Sequence, residues 1–348
     1  MNKEVKEKFY NLCFITRFLR EKHLEKKRKK REEKRRLKHE KNIEFKLKVM
    51  EFYRDSKDIE IKEILDYLKV PDREIGVFNY EDMNVEDIKV DVFLDKIKER
   101  FYVEHQGKKM YFPKKFDSIK SVETYYKGIL NEQSKNSPHL YITEKFNVNG
   151  SKCLLDIGGA EGFFALENLD KVEKIYIFEC EENWIEALEN TFEPYKDKVQ
   201  IIKKYVSDKN SDNEITLDNF QNSISERIDF IKMDIEGAEI SALRGAEKIL
   251  KENENLKLVV CTYHKENDEK DIKNILHDFK VETSKRYMLF IYDKDLKAPY
   301  FRRGVIRAES REQRAESREQ RAESREQRAE SREQRAESRE QRAESNKF

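Results

Sequence analysis

Cysteine is scarce in this sequence, with four residues in 348: Cys13, Cys153, Cys180 and Cys261. Their positions show no paired metal-binding spacing, so the sequence does not predict a cysteine-ligated metal site. Three of the four fall in or beside predicted strands, where a free cysteine serves as a small buried hydrophobic side chain. Because scattered, unpaired cysteines suit a reducing environment, we expect a cytoplasmic protein.

Long hydrophobic runs are also absent, and no stretch is long enough to span a membrane. The apolar segment around Phe9 and Phe18 is short, is interrupted by Arg17 and Arg20, and has no small-residue cleavage site after it. It therefore does not have the pattern of a signal peptide. We expect no transmembrane segment.

A dinucleotide-binding fingerprint is missing, although an apolar run at 153–157 leads into a glycine loop. The G-x-G-x-x-G pattern fails because residue 160 is Ala160 and no glycine falls at 163. The spacing is instead Asp-x-Gly-x-x-x-Gly, from Asp156 through Gly158 to Gly162, which is typical of enzymes that bind S-adenosylmethionine. A strand that turns through glycines into a helix lets the backbone approach a ligand closely. The loop therefore favours methyl transfer over hydride transfer.

Apolar runs alternate with helical patterns downstream of this loop. Strands are predicted at 153–157, 174–179, 199–202, 228–233 and 256–263, and helices at 181–192, 237–251 and 268–279. Such alternation predicts a mostly parallel, doubly wound sheet. We expect its last, antiparallel edge strand near 287–292.

Polar residues recur where these strands end. In an open parallel sheet the ligand crevice lies beyond the carboxyl ends of the strands. Glu179 ends the second strand, where an acid can hold a ribose through both its hydroxyls. The strand-end residues are Asp156, Glu179, Asp208, Asp234 and His264. The sequence therefore predicts one ligand site at this edge of the sheet.

Several segments together resemble the FkbM-type methyltransferases, enzymes that use S-adenosylmethionine and mostly methylate hydroxyl oxygens. The run Lys-Met-Asp-Ile-Glu-Gly-Ala-Glu at 232–239 is the most family-specific, whereas the glycine loop alone would give only the superfamily. The similar segments are 132–141, 154–162, 177–179, 228–239 and 263–268. The resemblance covers roughly residues 100–308.

The resemblance implies a class I methyltransferase fold, an α/β Rossmann-like doubly wound sheet of seven strands, with S-adenosyl-L-methionine as the cofactor. It implies that the loop glycines let the backbone approach the cofactor and that Glu179 takes the ribose hydroxyls. Asp208 is expected near the adenine, and Asp234 and His264 are the catalytic candidates at the substrate end. The residues expected to bind the cofactor are Asp156, Gly158, Gly159, Gly162, Glu179 and Asp208.

Other polar residues near these positions have structural interpretations. His264 suits a base near neutral pH, with a plain surface position as the alternative. His139, in Ser-Pro-His, is expected to cap or orient a helix. Glu236 and Glu239 are expected to begin the helix after the fourth strand, because acids favour a helix N-terminus. Carboxylates here could ligate Mg²⁺, but no spacing demands it, so the sequence predicts no metal.

The N-terminus concentrates positive charge. Charged residues make up 41% of the chain and hydrophobic residues 37%, an unusually polar balance for one globular domain. Residues 17–41 hold 14 Lys/Arg and 5 Asp/Glu, a net charge of +9 within a chain whose total is +1. We favour a solvated charged helix. Contact with an anionic membrane or with nucleic acid is left open.

The C-terminus is a tandem repeat. Ala-Glu-Ser-Arg-Glu-Gln-Arg begins at residue 308 and recurs every seven residues. Each copy has only one apolar residue, so no coiled-coil seam is available, and like charges fall three and four residues apart. We expect a disordered or partly helical tail.

Four regions follow from these patterns. We expect a basic helical extension at 1–45 and an accessory, substrate-side region at 46–130. The latter should contain short helices at 49–53 and 61–68 and a hairpin around Gly107. The methyltransferase domain is expected at 131–307 and the repeat tail at 308–348.

The expected function is methyl transfer from S-adenosylmethionine to a hydroxyl of a sugar, glycan precursor or small metabolite. Methylation of nucleobase nitrogens is disfavoured, because the Asp/Asn-Pro-Pro-Tyr/Phe signature is absent. The alternative is a catalytically inactive methyltransferase fold that binds RNA or anionic membrane through its basic N-terminus. The intact glycines and acids favour the enzyme.

Overall fold

The structure, a computed structural model, describes residues 3–83 and 88–310. The repeat from residue 311 onward, predicted to be disordered or partly helical, lies outside the described residues. The described residues divide into two compact units, one that ends at Glu81 and one that begins at Asp82. The predicted region boundaries at 45, 130 and 307 stay predictions.

The first unit is helical. Helix α1 spans Lys3–Phe52 and helix α2 spans Ile59–Leu68, so the predicted N-terminal helix is confirmed. Asp58 begins α2 as its N-cap, with its side chain accepting from the backbone N–H groups of Glu60 and Ile61. The buried side chains of α2 recur at helical spacing, at Ile61, Ile64, Leu65 and Leu68.

A seven-stranded sheet forms the centre of the second unit. Its strands are β4 (Cys153–Ile157), β5 (Lys174–Phe178), β6 (Val199–Ile202), β9 (Phe230–Met233), β10 (Lys257–Cys261), β11 (Phe279–Thr283) and β12 (Val305–Ser310). The order is β11-β12-β10-β9-β4-β5-β6, and β12 pairs antiparallel with both of its neighbours. The order reverses at β4, which produces the doubly wound arrangement. The predicted α/β sheet with class I methyltransferase topology is confirmed.

The sheet is covered by helices. These are α3 (Ile119–Glu132), α4 (Phe163–Asn168), α5 (Glu182–Phe192), α6 (Leu217–Ser223), α7 (Glu239–Arg244), α8 (Glu247–Glu252) and α9 (Asp268–Ile275), with a 3₁₀ turn at Glu193–Tyr195. All five residues of β4 are buried, as expected for a parallel strand covered on both faces. The single helix predicted over 237–251 is two short helices, because the chain turns at Gly245 and Ala246.

The predicted edge strand near 287–292 is wrong. That segment forms only an isolated bridge, between Met288 and Arg302. The antiparallel strand is β12, which lies between β10 and β11 inside the sheet. Its last three residues, 308–310, belong to the first copy of the sequence repeat, so the sheet continues into that copy. Short apolar runs cannot show which of them pairs, because pairing depends on partners distant in sequence.

Two smaller sheets complete the second unit. Strands β1 (Val92–Asp95), β2 (Arg100–His105) and β3 (Lys108–Tyr111) form an antiparallel sheet, and β7 (Tyr205–Val206) pairs with β8 (Glu214–Ile215). The predicted hairpin is confirmed, since β2 and β3 join at a turn where Gly107 has φ +75°. The hairpin packs on α5, where the Tyr111 N–H donates to Thr191 Oγ1 at 2.9 Å.

None of the helices in the described ranges combines the length and apolar character needed to cross a membrane.

Candidate active site

The glycine loop at 158–162 lies against the ends of the neighbouring strands. Gly158 has φ +78°, and a Cβ there would lie 1.8 Å from the backbone oxygen of Asp234. The N–H groups of Gly158 and Gly159 both donate to Phe178 O, at 3.0 and 3.1 Å. Only a residue without a side chain permits this approach of three strand ends. The loop glycines are thus fixed by the sheet.

Glu179 holds the other side of the loop. Its Oε2 accepts from the Ala160 N–H at 2.9 Å, and its Oε1 accepts from the N–H groups of Cys180 and Glu181 at 2.7 and 2.8 Å. A carboxylate has about four lone-pair sites. Glu179 therefore orients the loop and keeps acceptor capacity for a ligand.

The first cavity lies between Glu179 and the ends of β5, β7 and β9. Its volume is about 490 Å³. Aromatic and polar groups share its wall, which includes Phe178, Trp184, Ser207 and Ser241. This mixture suits a ligand with a flat ring and hydroxyl groups.

The second cavity lies on the other side of the glycine loop. Its volume is about 540 Å³, and it shares Gly158, Ala160, Asp234 and Glu236 with the first cavity. Much of its remaining wall is aromatic or acidic, although His139 and Lys232 also line it. The aromatic and acidic side chains include Tyr125, Tyr141, Tyr263, Phe290, Glu132 and Glu161. The two cavities therefore meet at the loop and at the end of β9.

Asp156 does not reach either cavity. Its side chain is fully buried, and Lys232 Nζ lies 3.0 Å from its Oδ1. The same ammonium donates to Gly158 O at 2.6 Å. Burial raises the pKa of Asp156, against the lowering effect of the Lys232 charge. Asp156 therefore acts on the loop through Lys232.

Asp234, at the end of β9, is the centre of the polar wall shared by both cavities. The Tyr141 hydroxyl donates to its Oδ2 at 2.7 Å, and the Tyr263 hydroxyl donates to its Oδ1 at 3.1 Å. Nε2 of His139 and Nε2 of His264 each lie 3.4 Å from one of its oxygens. Burial opposes ionisation, but His139, Lys232 and His264 lower the pKa of Asp234 far below its usual range. Asp234 is a fixed negative charge.

His264 is buried behind Asp234 and does not line either cavity. Its Nδ1 lies 3.0 Å from Oε1 of Glu239, a side chain that is itself only 1% exposed. Burial would lower the pKa of His264, but Glu239, Asp234 and Glu236 raise it. Glu239 therefore does more than begin a helix, because its buried carboxylate lies directly beside the imidazole of His264.

His139 is the histidine that lines the second cavity. It is 3% exposed, and its Nε2 lies 3.4 Å from both Asp234 Oδ2 and the Tyr141 hydroxyl. The sequence favoured a structural role for this residue. Its proximity to Asp234 depends on a contact across 95 residues of chain, which no local pattern shows.

Glu161 lies within the loop and faces the second cavity. The Tyr125 hydroxyl donates to its Oε2 at 3.1 Å. Burial raises the pKa of Glu161 to about 7, with a further contribution from the Glu132 charge. Sequence reasoning missed Tyr125, Tyr141 and Tyr263, because aromatic residues at these positions are indistinguishable from core residues.

Two groups of side chains near Asp234 are close enough to suggest metal ligands. They are His139, Asp234 and Cys261, and Asp234, Glu239 and His264, with ligand atoms within 4.8 Å of one another. However, the Asp234 oxygens already accept two tyrosine hydroxyls, and the Lys232 charge lies close by. Since an adjacent cation and occupied acceptors weaken a metal site, we propose none.

The structure brings most of the predicted site residues together. Gly158, Glu179 and Asp234 line the cavities, Gly159 lines the second, and Gly162 starts α4 with φ +79°. Asp208 is exposed and lines neither cavity, although its neighbour Ser207 lines the first.

Part of the sequence matches a known family model. Residues 156–290 match the sequence model of the methyltransferase FkbM domain. A methyltransferase FkbM from Methylobacillus flagellatus is 21% identical with a TM-score of 0.38, and the match covers 56% of each chain. The match thus spans little more than half of that relative's length.

Two further solved structures are similar over about half of this chain. A precorrin-6y C5,15-methyltransferase from Geobacter metallireducens is 12% identical with a TM-score of 0.34, and the match covers 48% of this chain and 84% of that one. An rRNA methylase from Streptococcus thermophilus is 14% identical with a TM-score of 0.32, over 47% and 88%. No curated protein matches the sequence.

Proposed function

We propose that the chain transfers a methyl group from S-adenosylmethionine to a hydroxyl oxygen, and the match of residues 156–290 to the methyltransferase FkbM domain model supports this. The observation that carries the proposal is the pair of cavities that meet at the glycine loop and at Asp234. One cavity has the walls for a nucleoside, and the other is open to an acceptor. A displacement needs two such ligands held with their reacting atoms in line.

The residues of the first cavity fit the cofactor. Glu179 keeps about one free lone-pair site for a ribose hydroxyl. Phe178, Trp184 and Ser207 offer an apolar and polar wall for the adenine. S-adenosylmethionine, when bound, supplies a methyl group activated by a positively charged sulfur. The fixed charge of Asp234, at the junction of the cavities, suits a cationic centre nearby. Asp208 does not line the first cavity, so we assign the contact with the adenine to its neighbour Ser207.

The acceptor end belongs to Asp234 and the groups around it. As the oxygen–methyl bond forms and the sulfur–methyl bond breaks, the hydroxyl proton must leave to a base. We assign Asp234 to hold the hydroxyl. His264, which contacts Asp234 on its buried side, and His139, which lines the acceptor cavity, are the two candidates for the base. The many aromatic side chains and carboxylates in this wall suit a sugar or another polyhydroxylated acceptor.

Calorimetry with S-adenosylmethionine tests the cofactor site. We expect micromolar binding that Gly158→Arg and Glu179→Ala abolish, whereas Glu173→Ala, a surface control, keeps it. A folded wild-type protein that does not bind would overturn the proposal.

Turnover is tested by transfer of a radiolabelled methyl group to a panel of methyl hexosides and deoxyhexosides. The acid limb of the pH–rate profile then distinguishes the two histidines. Loss of the limb in His139→Gln assigns the base to His139, and loss only in His264→Gln assigns it to His264. Binding of the cofactor without transfer to any hydroxyl would contradict O-methylation.

The free cysteines support a reducing location. Cys153, Cys180 and Cys261 are all unpaired, and burial raises the pKa of the Cys180 thiol to about 11. We infer a cytoplasmic enzyme, because cysteines that stay unpaired are typical of proteins in a reducing compartment.

A further inference from the structure

The basic part of α1 has its charges sorted onto two faces. Residues 22–41 are helical, and every one of their side chains is exposed. The segment holds twelve Lys/Arg and four Asp/Glu. At about 100° per residue, eight of the basic side chains fall within one half of the helix circumference, where no acid falls. These eight define the basic face: Lys26, Lys27, Lys30, Arg31, Lys34, Arg35, Lys38 and Lys41.

The opposite face is internally neutralised. All four acids fall within about a third of the circumference, and the remaining basic residues lie among them or directly beside them. The ion pairs lie there: Lys29–Glu25 at 3.0 Å, Arg28–Glu32 at 3.6 Å and Arg36–Glu40 at 3.6 Å. The basic face has no ion pair with any described residue. The charge sorting therefore leaves one face neutralised and one face without counter-charge.

The basic face suits a polyanion better than a membrane surface. It extends about 22 Å along the helix, and a duplex carries one phosphate charge per about 1.7 Å of axis. An interfacial membrane helix needs a continuous apolar stripe. The segment has only two leucines, Leu24 and Leu37, which lie 13 residues apart and are 54% and 48% exposed. Residues 22–41 therefore contain no apolar stripe to insert into lipid.

We propose that the basic face of α1 binds the phosphate backbone of a nucleic acid. Binding through phosphates releases counterions, so it depends steeply on salt and little on base sequence. The surface lies outside the methyltransferase domain, and the proposal holds whether or not the chain transfers methyl groups. The ligand class is a nucleic acid duplex contacted through its phosphates.

A charge-matched pair of variants of the full-length chain tests the face rather than the net charge. The face variant carries Lys27→Gln, Arg31→Gln and Lys34→Gln, and the control carries Lys22→Gln, Lys29→Gln and Arg36→Gln. Each loses two lysines and one arginine. Lysine, arginine and glutamine have similar helix propensities, so helix content should be unchanged by circular dichroism.

Fluorescence anisotropy with a labelled 20-base-pair DNA duplex of arbitrary sequence, from 50 to 200 mM salt, measures binding. We expect the face variant to bind at least tenfold more weakly than wild type at 50 mM salt and to reduce the salt slope by about 2 to 3. The control should stay within about twofold of wild type. Equal losses of duplex affinity in the two variants would show that binding depends on net charge alone, and this would overturn the proposal.

Two further results would also overturn it. One is absence of duplex binding at 50 mM salt. The other is face-dependent binding to phosphatidylserine vesicles without binding to the duplex, which would assign the face to a membrane. Calorimetry of S-adenosylmethionine with the face variant tests the nucleic-acid proposal separately from the proposed methyl transfer, because cofactor binding should be unchanged in that variant.

Discussion

Asp156 and Lys232 are register partners on neighbouring parallel strands, and their side chains form a buried ion pair with Nζ 3.0 Å from Oδ1. The lysine also donates to the oxygen of Gly158. The strand-end acid that the sequence assigned to the cofactor thus supports the glycine loop from below. The pair links the position of the loop to the register of β4 and β9.

Breaking this pair should be costly. Lys232→Met leaves the Asp156 carboxylate buried without its counter-charge, and we expect a loss of about 3–5 kcal/mol in the free energy of unfolding. The double variant with Asp156→Leu should recover most of that loss, since two apolar side chains need no pairing. Urea unfolding measures both. Lys152→Met, which breaks an exposed pair with Glu173, should cost less than about 1 kcal/mol. Equal costs in Lys232→Met and Lys152→Met would contradict the burial argument.

Two glycine-to-alanine changes should have opposite effects. Gly158→Ala puts a Cβ 1.8 Å from the Asp234 oxygen at a φ of +78°, and we expect destabilisation by more than about 2 kcal/mol together with loss of cofactor binding. Gly128→Ala, within α3, meets nothing within 4 Å. It should stabilise the protein by about 0.5–1 kcal/mol, because alanine is the better helix former. Thermal and urea unfolding check both signs.

The Glu239–His264 contact predicts a dependence on pH. Burial works against the charge on His264, but Glu239, Asp234 and Glu236 raise its pKa. A histidine whose folded pKa is raised gives stability that is complete below about pH 6.5, its unfolded value, and is lost as pH rises through the folded pKa. Glu239→Gln should therefore destabilise the protein more at pH 6 than at pH 9.

Urea unfolding at the two pH values measures this difference, and the glutamine keeps an oxygen for the Ile235 N–H that Glu239 accepts. Glu247→Gln, on the next helix, changes an exposed acid and should show no comparable difference between pH 6 and pH 9. A Glu239→Gln cost independent of pH would mean that His264 is neutral throughout.

Substitution of Glu161 should stabilise the protein, whereas Glu239→Gln destabilises it. Burial raises its pKa to about 7, so the folded protein binds a proton that the unfolded chain has lost above pH 4.5. Stability from this group therefore falls as pH rises from about 4.5 to 7 and stays reduced above that. Glu161→Gln should be close to neutral at pH 5 and stabilising by on the order of 1 kcal/mol at pH 8. Glu123→Gln, an α3 acid with lysine partners, should not stabilise at pH 8.

The sequence predicted the central fold well because parallel strands buried on both faces appear as largely apolar runs. The runs of β4, β5 and β9 are recognisable as strands from the sequence alone. It failed for the antiparallel strand, which was expected near 287–292 and is β12. A run at 305–310 is short and partly polar, and only pairing with β10 and β11 identifies it.

Local pattern determined the glycine loop, the strand-end positions of Glu179 and Asp234, and the helical, basic N-terminus. Each depends on residues close together in sequence, where turn geometry, capping and periodicity act directly. Tertiary structure decided the rest. Strand register buried Asp156 against Lys232, and packing across β9 and β10 placed His264 behind Asp234. The fold brought His139, Tyr141 and Tyr263 to the same carboxylate. Those contacts cross between 29 and 95 residues of chain, and their energies depend on burial that no local pattern records.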